Sequence, residues 1–135
     1  MNRKNVKKIV SVILLLVIIF SALNLTVSAR YNHIDLMSAG LTIDMLGLAS
    51  CIGIVWPSDN DTNTTLRVEL QKYSSNQWVF VDYWTSSGSG MGTISKNGLK
   101  YVERGRYRVV VTAKVYSASG ILLENESMNS YEITY

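Results

Sequence analysis

The chain has 135 residues, 47% hydrophobic and 17% charged, with 13 Lys and Arg against 10 Asp and Glu, one His and one Cys. That length suits one domain behind a short leader, and a single cysteine excludes an internal disulfide framework. The formal charge of +3 would invite a nucleic-acid partner, but the position of the cations withdraws that invitation.

Asn2-Arg3-Lys4-Asn5-Val6-Lys7-Lys8 is basic, Ile9 to Leu23 is apolar apart from Ser11 and Ser21, and Val27-Ser28-Ala29 offers small residues at a cut. Basic, apolar, then small is the order of a secretory signal peptide, so residues 1–29 are read as one. Arg3, Lys4, Lys7 and Lys8 leave with it while every acid stays, so Arg30 to Tyr135 is slightly acidic. The expected location is secreted or cell-surface associated. Retention as an anchor is the alternative, although Ile9 to Leu23 is shorter than the ~20 residues that a spanning helix needs. The membrane would then be met only through that segment.

Beyond Ala29 the apolar period is two, as in half-buried antiparallel strands. Strands are expected over 31–37, 40–46 and 48–56, and Ala49, Cys51, Gly53 and Val55 share one side of the third. Pro57 to Thr64 is a loop by composition. Within it Asp59, Asp61 and Asn63 set oxygen ligands at alternate positions, as at the start of a calcium loop. Thr64 and Leu70 then stand where that loop needs its glycine and bidentate Glu. These three residues are a weak calcium candidate beside the plainer reading of a turn.

The next strands are expected over 65–73 and 77–85, joined by a turn at Tyr73-Ser74-Ser75-Asn76. In the first, Leu66, Val68 and Leu70 alternate with Arg67, Glu69 and Gln71. In the second, Trp78, Phe80 and Trp84 share one parity, with Val79, Val81 and Tyr83 on the other. Facing in, the three aromatics would be the packing centre; facing out, a stacking platform for sugar rings. Buried aromatics favour the first arrangement, and Asp82 within the set favours the second.

Ser86-Ser87-Gly88-Ser89-Gly90 reads as a flexible loop, and its glycines lack the Lys-Ser/Thr and following helix of a phosphate cradle. Strands at 91–96 and 99–102 are expected to flank a tight turn at Asn97-Gly98. The strand at 106–117 sets Tyr107, Val109, Val111, Ala113 and Val115 inward and Arg106, Arg108, Thr112 and Lys114 outward. These cations, with Lys96, Lys100 and Arg104, are either a solvated face or a docking face for an acidic polymer. A last strand, 121–135, is expected to break near Asn125 to Asn129. Many short strands without helices imply an all-β sandwich or small barrel in one domain over 30–135.

Gly105-Arg106-Tyr107-Arg108-Val109-Val110-Val111 resembles the tyrosine corner of immunoglobulin-like domains. The resemblance implies an antiparallel Greek-key sandwich in which the Tyr107 hydroxyl bonds back to Val102–Gly105. Val109 stands where antibody domains carry their second cysteine, leaving Cys51 without a partner. Leu48-Ala49-Ser50-Cys51 resembles the lipobox at which bacterial lipoproteins are acylated, but a polar segment separates it from the leader.

More broadly, Leu48 to Cys51, Leu70-Gln71, Trp78 with Trp84, Gly105-x-Tyr107-Arg108-Val109 and Gly120 with Glu124 resemble small exported Gram-positive bacterial proteins with a domain of unknown function. The resemblance implies location and fold, and no mechanism. A Cys51–His33 dyad would need the two to meet and a third group to orient the ring. No other catalytic set is visible, and no cofactor is implied. The reading is a non-enzymatic exported module binding a cell-wall glycan or a surface protein through Trp78, Phe80, Trp84, Arg106, Arg108 and Lys114. Cys51 and Tyr107 are taken as structural. A secreted effector of bacteriocin or toxin type is the alternative.

Overall fold

Antiparallel strands account for nearly all the regular structure in the computed structural model, which describes Tyr31–Tyr135. The export segment read over residues 1–29 lies outside the described residues. The strands are β1 (Ile34–Ile43), β2 (Leu48–Pro57), β3 (Thr62–Ser74), β4 (Gln77–Ser89), β5 (Ile94–Tyr101), β6 (Arg106–Ser117), β7 (Leu122–Asn129) and β8 (Ile133–Thr134). They form two sheets, one ordered β1-β2-β5 and the other β4-β3-β6-β7, with β8 paired to β6.

The core lies between the sheets and follows the period of two. Ala49, Cys51 and Val55 of β2 face Leu66, Val68 and Leu70 of β3 and Tyr107, Val109, Val111, Ala113 and Val115 of β6, all buried. Such an alternating stripe has one stable outcome in water, a second sheet laid over it. Tyr31–Tyr135 forms a compact unit around this core.

Several expected boundaries differ, and each difference has a local cause. The segments 31–37 and 40–46 are one strand, β1, paired along its length with β2. Asn97-Gly98 is no turn: it lies inside β5, opposite Ile52 and Cys51. The glycine serves close approach, because a Cβ at Gly98 would sit 2.0 Å from the Trp84 indole of β4. Ser86 to Ser89 is likewise strand, since β3 supplies partners from Asn63 to Leu66 and overrides the loop-like composition. The last segment breaks after Asn129, where Ser130 turns in and donates its Oγ–H to the Tyr131 carbonyl. Ser75 and Asn76 adopt φ of 51° and 62° in the turn joining β3 and β4, as two-residue hairpins require.

Candidate functional site

Residues that oppose one another across an antiparallel pair lie on the same face, so the register decides what the β4-β3-β6-β7 sheet shows to solvent. Leu66, Val68 and Leu70 point inward, which leaves Arg67, Glu69, Gln71 and Tyr73 outward. On β6, Arg106, Arg108, Thr112 and Lys114 take the outward positions.

Strand β4 does not keep one parity. Leu70 pairs with Asp82 and Gln71 with Phe80, so Val81 is an extra residue in a β-bulge. Trp84, opposite Val68, turns inward and packs on the core and on Gly98. Trp78 and Phe80, on the other side of the bulge, lie outward opposite Tyr73 and Gln71. The expectation that Trp78, Phe80 and Trp84 share one face is therefore corrected: Trp84 leaves the candidate surface, and Tyr83, opposite Glu69, joins it.

The outward aromatics and the cations meet. The Arg106 guanidinium lies 4.0 Å from the Tyr73 ring centre, and that of Arg108 lies 4.4 Å from the Trp78 ring centre. Arg67 lies 3.9 Å from the Tyr83 ring centre. Tyr73 meets Trp78 edge-on at 5.1 Å, and Phe80 approaches Tyr83 at 6.1 Å. Cation–aromatic contacts of this kind hold the rings and guanidinium planes in fixed orientations while leaving their rims open to solvent.

A polar row along β3 stiffens the array. Arg67 Nε and an Nη donate to Glu69 at 3.2 and 2.8 Å, Gln71 Nε2 donates to Glu69 at 2.8 Å, and Arg108 Nε donates to Gln71 Oε1 at 2.9 Å. Partial burial of Glu69 works against its charge. The bonds from Gln71 and Arg67 and the Arg67 charge outweigh that and hold its carboxyl below the ordinary 4.5. Beyond Arg67 the same face hollows into a depression of about 460 Å³ lined by Thr65, Thr85, Ser87, Thr112, Lys114 and Tyr116. The surface thus offers aromatic faces and guanidinium groups at one end, and hydroxyls with an ammonium at the other.

The remaining candidates are not brought together. Cys51 is fully buried in the middle of β2, and burial, then the Asp82 charge, pushes its thiol up to about 12. It lies in a strand paired on both sides, and a cut before it would take β1 away from β2. His33 sits where β1 begins, its Nδ1 2.5 Å from an Asp59 carboxylate oxygen, and its carbonyl accepts from Ser58 N. That places it roughly 20 Å along the sheet from Cys51, so no dyad forms. Asp59 is engaged by His33, while Asn63 has entered β3 on the outer face. No group of three or more His, Cys, Asp and Glu able to hold a metal occurs among the described residues. The Tyr107 hydroxyl donates to the Glu103 carbonyl at 2.8 Å, within the Val102–Gly105 turn.

Sequence reasoning missed Arg67, Tyr73 and Tyr83 as parts of this surface. The signal for Arg67 was its outward parity on a strand whose other face is apolar. For Tyr83 the pattern pointed the wrong way, because a bulge leaves no trace in a count of two. No protein-family model matches the chain, and no curated protein matches it in sequence.

Proposed function

We propose that the protein is an exported, non-enzymatic binding module whose ligand is an acidic glycan of the cell wall, gripped by the outer face of the β4-β3-β6-β7 sheet. The observation that carries this is the convergence of Tyr73, Trp78, Phe80 and Tyr83 with Arg67, Arg106 and Arg108 on one face. Aromatic rings suit the apolar faces of sugars, guanidinium groups suit carboxylates or phosphates, and the hydroxyl-lined depression suits sugar hydroxyls. Glu69 and Glu132 are the acids on or beside this face, each held by an arginine. The face is therefore cationic on a domain that is slightly acidic, and an acidic polymer is steered to it rather than to the molecule at large.

The finer fold belongs to the same proposal: an immunoglobulin-like Greek key. In support, β2 and β5 are neighbours in one sheet and β3 and β6 in the other, and Tyr107 bonds back across its own turn. The seat of action outside the membrane rests on residues 1–29.

Co-sedimentation of the Tyr31–Tyr135 domain with purified cell wall tests the reading. Trp78→Ala with Arg108→Ala is expected to weaken binding about tenfold or more, because each residue loses its ligand contact and its partner's support. Glucuronic-acid or polyol-phosphate polymers should compete. Equal binding by the variant, or no binding to wall, overturns the proposal. Capture of a surface protein through the same residues would replace the glycan by a protein ligand.

A further inference from the structure

Because Ala49, Cys51 and Val55 point into the core, the residues of β2 between them point away from it, as do their partners on β1 and β5. On that outer face Leu36, Trp56, Ile54, Ile52, Leu99 and Tyr101 form a continuous apolar stripe. Leu36 pairs with Trp56, Ile52 neighbours Leu99 diagonally across the β2–β5 register, and Tyr101 follows Leu99 on β5. Leu99 is 61%, Tyr101 70% and Trp56 47% exposed, so the stripe lies open to solvent. Gly40 keeps it shallow: it stands opposite Ile52, and a Cβ there would sit 2.5 Å from the Ile52 Cγ2. Ser38, Thr42, Ser50, Ser95 and Asn97 fill most of the outward positions beside the stripe.

The face is also bare of charge. Leu36–Ile43 and Leu48–Pro57 contain no charged residue. Lys96 and Lys100 of β5 stand opposite Gly53 and Ala49, on the inward parity at the edge of the sheet, and Lys100 reaches Asp82 of β4 at 2.9 Å. Asp35, at the bulge that opens β1, and Asp44, in the β1–β2 turn, stand at the two ends of the face. The outer face of the other sheet is the contrast, with Arg67, Glu69, Arg106, Arg108 and Lys114. Charges of that kind keep a solvated sheet face from associating. Their loss, together with exposed aromatic rings, is the composition of an interface core.

Charge, area and polar groups together select a second copy of the chain as the occupant. In a two-fold contact a patch meets itself, so any charge near the axis would face its like, and this face has none there. Its three strands make a surface of roughly 15 by 30 Å. Side-chain relief brings that to the order of 600 Å² per partner, where specific interfaces begin. The hydroxyls and the amide beside the stripe find donors and acceptors on a protein surface, whereas hydrocarbon would strand them. We infer that the protein forms a two-fold dimer through the outer faces of β1-β2-β5, stacked like the sheets of a sandwich. The pairing covers Leu36, Trp56 and Leu99 and leaves the β4-β3-β6-β7 face open on both copies, so it stands whatever that face binds.

The test is sedimentation velocity of the Tyr31–Tyr135 domain, a compact unit, from micromolar to near-millimolar concentration. A shift from monomer to dimer with rising concentration is expected. Leu99→Lys should weaken association about tenfold or more, because the lost apolar contact and the new charge count twice across the axis. Leu99 is exposed, so the fold is expected to survive, and circular dichroism checks it. Leu99→Ser, which adds no charge, should weaken association in the same direction. Leu122→Lys, at an apolar site of 49% exposure on β7 of the other sheet, should leave association unchanged. Carbene footprinting should show Leu36, Trp56 and Leu99 protected as the dimer forms, with Tyr73 and Leu122 still labelled. A monomer throughout, equal association of Leu99→Lys, or an equal loss with Leu122→Lys overturns the inference. So does protection of the β4-β3-β6-β7 face instead, or a monomer that binds phosphatidylcholine vesicles through Leu99.

Discussion

Cys51 and Gly98 are adjacent across the β2–β5 pair, and both are occupied by packing rather than chemistry. Cys51 has no exposed surface, and its thiol is pushed up to about 12, so it lacks both the access and the thiolate that alkylation needs. Iodoacetamide at mildly alkaline pH should leave the native mass unchanged and add one adduct in guanidinium. An adduct on the native protein would contradict this placement. At Gly98 a methyl group would meet the Trp84 ring at 2.0 to 2.3 Å. Gly98→Ala should cost about 1–3 kcal/mol, as overpacked sites do, and less in a Trp84→Leu background, measured by urea unfolding. The sequence suggested a turn there because Asn-Gly usually makes one. Only the partner strand shows that the glycine is needed for the indole.

The bulge at Val81 is the element-scale feature on which the candidate surface depends. Without it, β4 would have to place Trp78, Phe80 and Trp84 on one face, burying two rings that now hold Arg108 and Tyr83, or exposing the ring that now fills the core. Deleting Val81 removes the extra residue and leaves Phe80 and Asp82 as neighbours opposite Gln71 and Leu70, so the deletion should keep Trp84 buried and unfold cooperatively in urea, at the cost of one half-buried side chain. Val81→Ala, which keeps the extra residue and trims a half-buried side chain, should cost about 1 kcal/mol. If the deletion loses cooperative unfolding, the extra residue does more than offset the parity of the two aromatic sets. The alternation of β2, β3 and β6 was legible in the sequence because each strand is apolar on a single parity. The alternation of β4 was not, since a bulge is settled by the register of two strands together.

For the whole molecule, the paired carboxylates set the acid limb of stability. Glu69 is held below its ordinary 4.5 by the Gln71 and Arg67 bonds acting against burial. Asp82 is held below 3.8, chiefly by the Lys100 bond and then by Tyr83 N. A depressed folded pKa means that the unfolded chain binds protons first on acidification. The stabilisation is present above the ordinary values and is lost as pH falls through the folded ones. The melting temperature should therefore drop below about pH 4.5, and less steeply in Glu69→Gln than in the parent. Cys51 acts with the opposite sign. Its raised value leaves its contribution intact below 9 and erodes it as pH climbs toward 12.

By itself the sequence determined the composition of the faces. Apolar residues at every second position of β2, β3 and β6 require a second sheet to cover them, and that follows from the cost of leaving such a stripe in water. The outward set Arg106, Arg108, Thr112 and Lys114 follows from the same count. Tertiary structure decided what counting cannot reach: that the extra residue in β4 sends Trp84 to the core and Trp78 to the arginines, and that Gly98 lies under an indole. Each of these depends on which residue of one strand lies opposite which residue of another. That choice is made by packing between segments far apart in the chain, where local pattern carries no information.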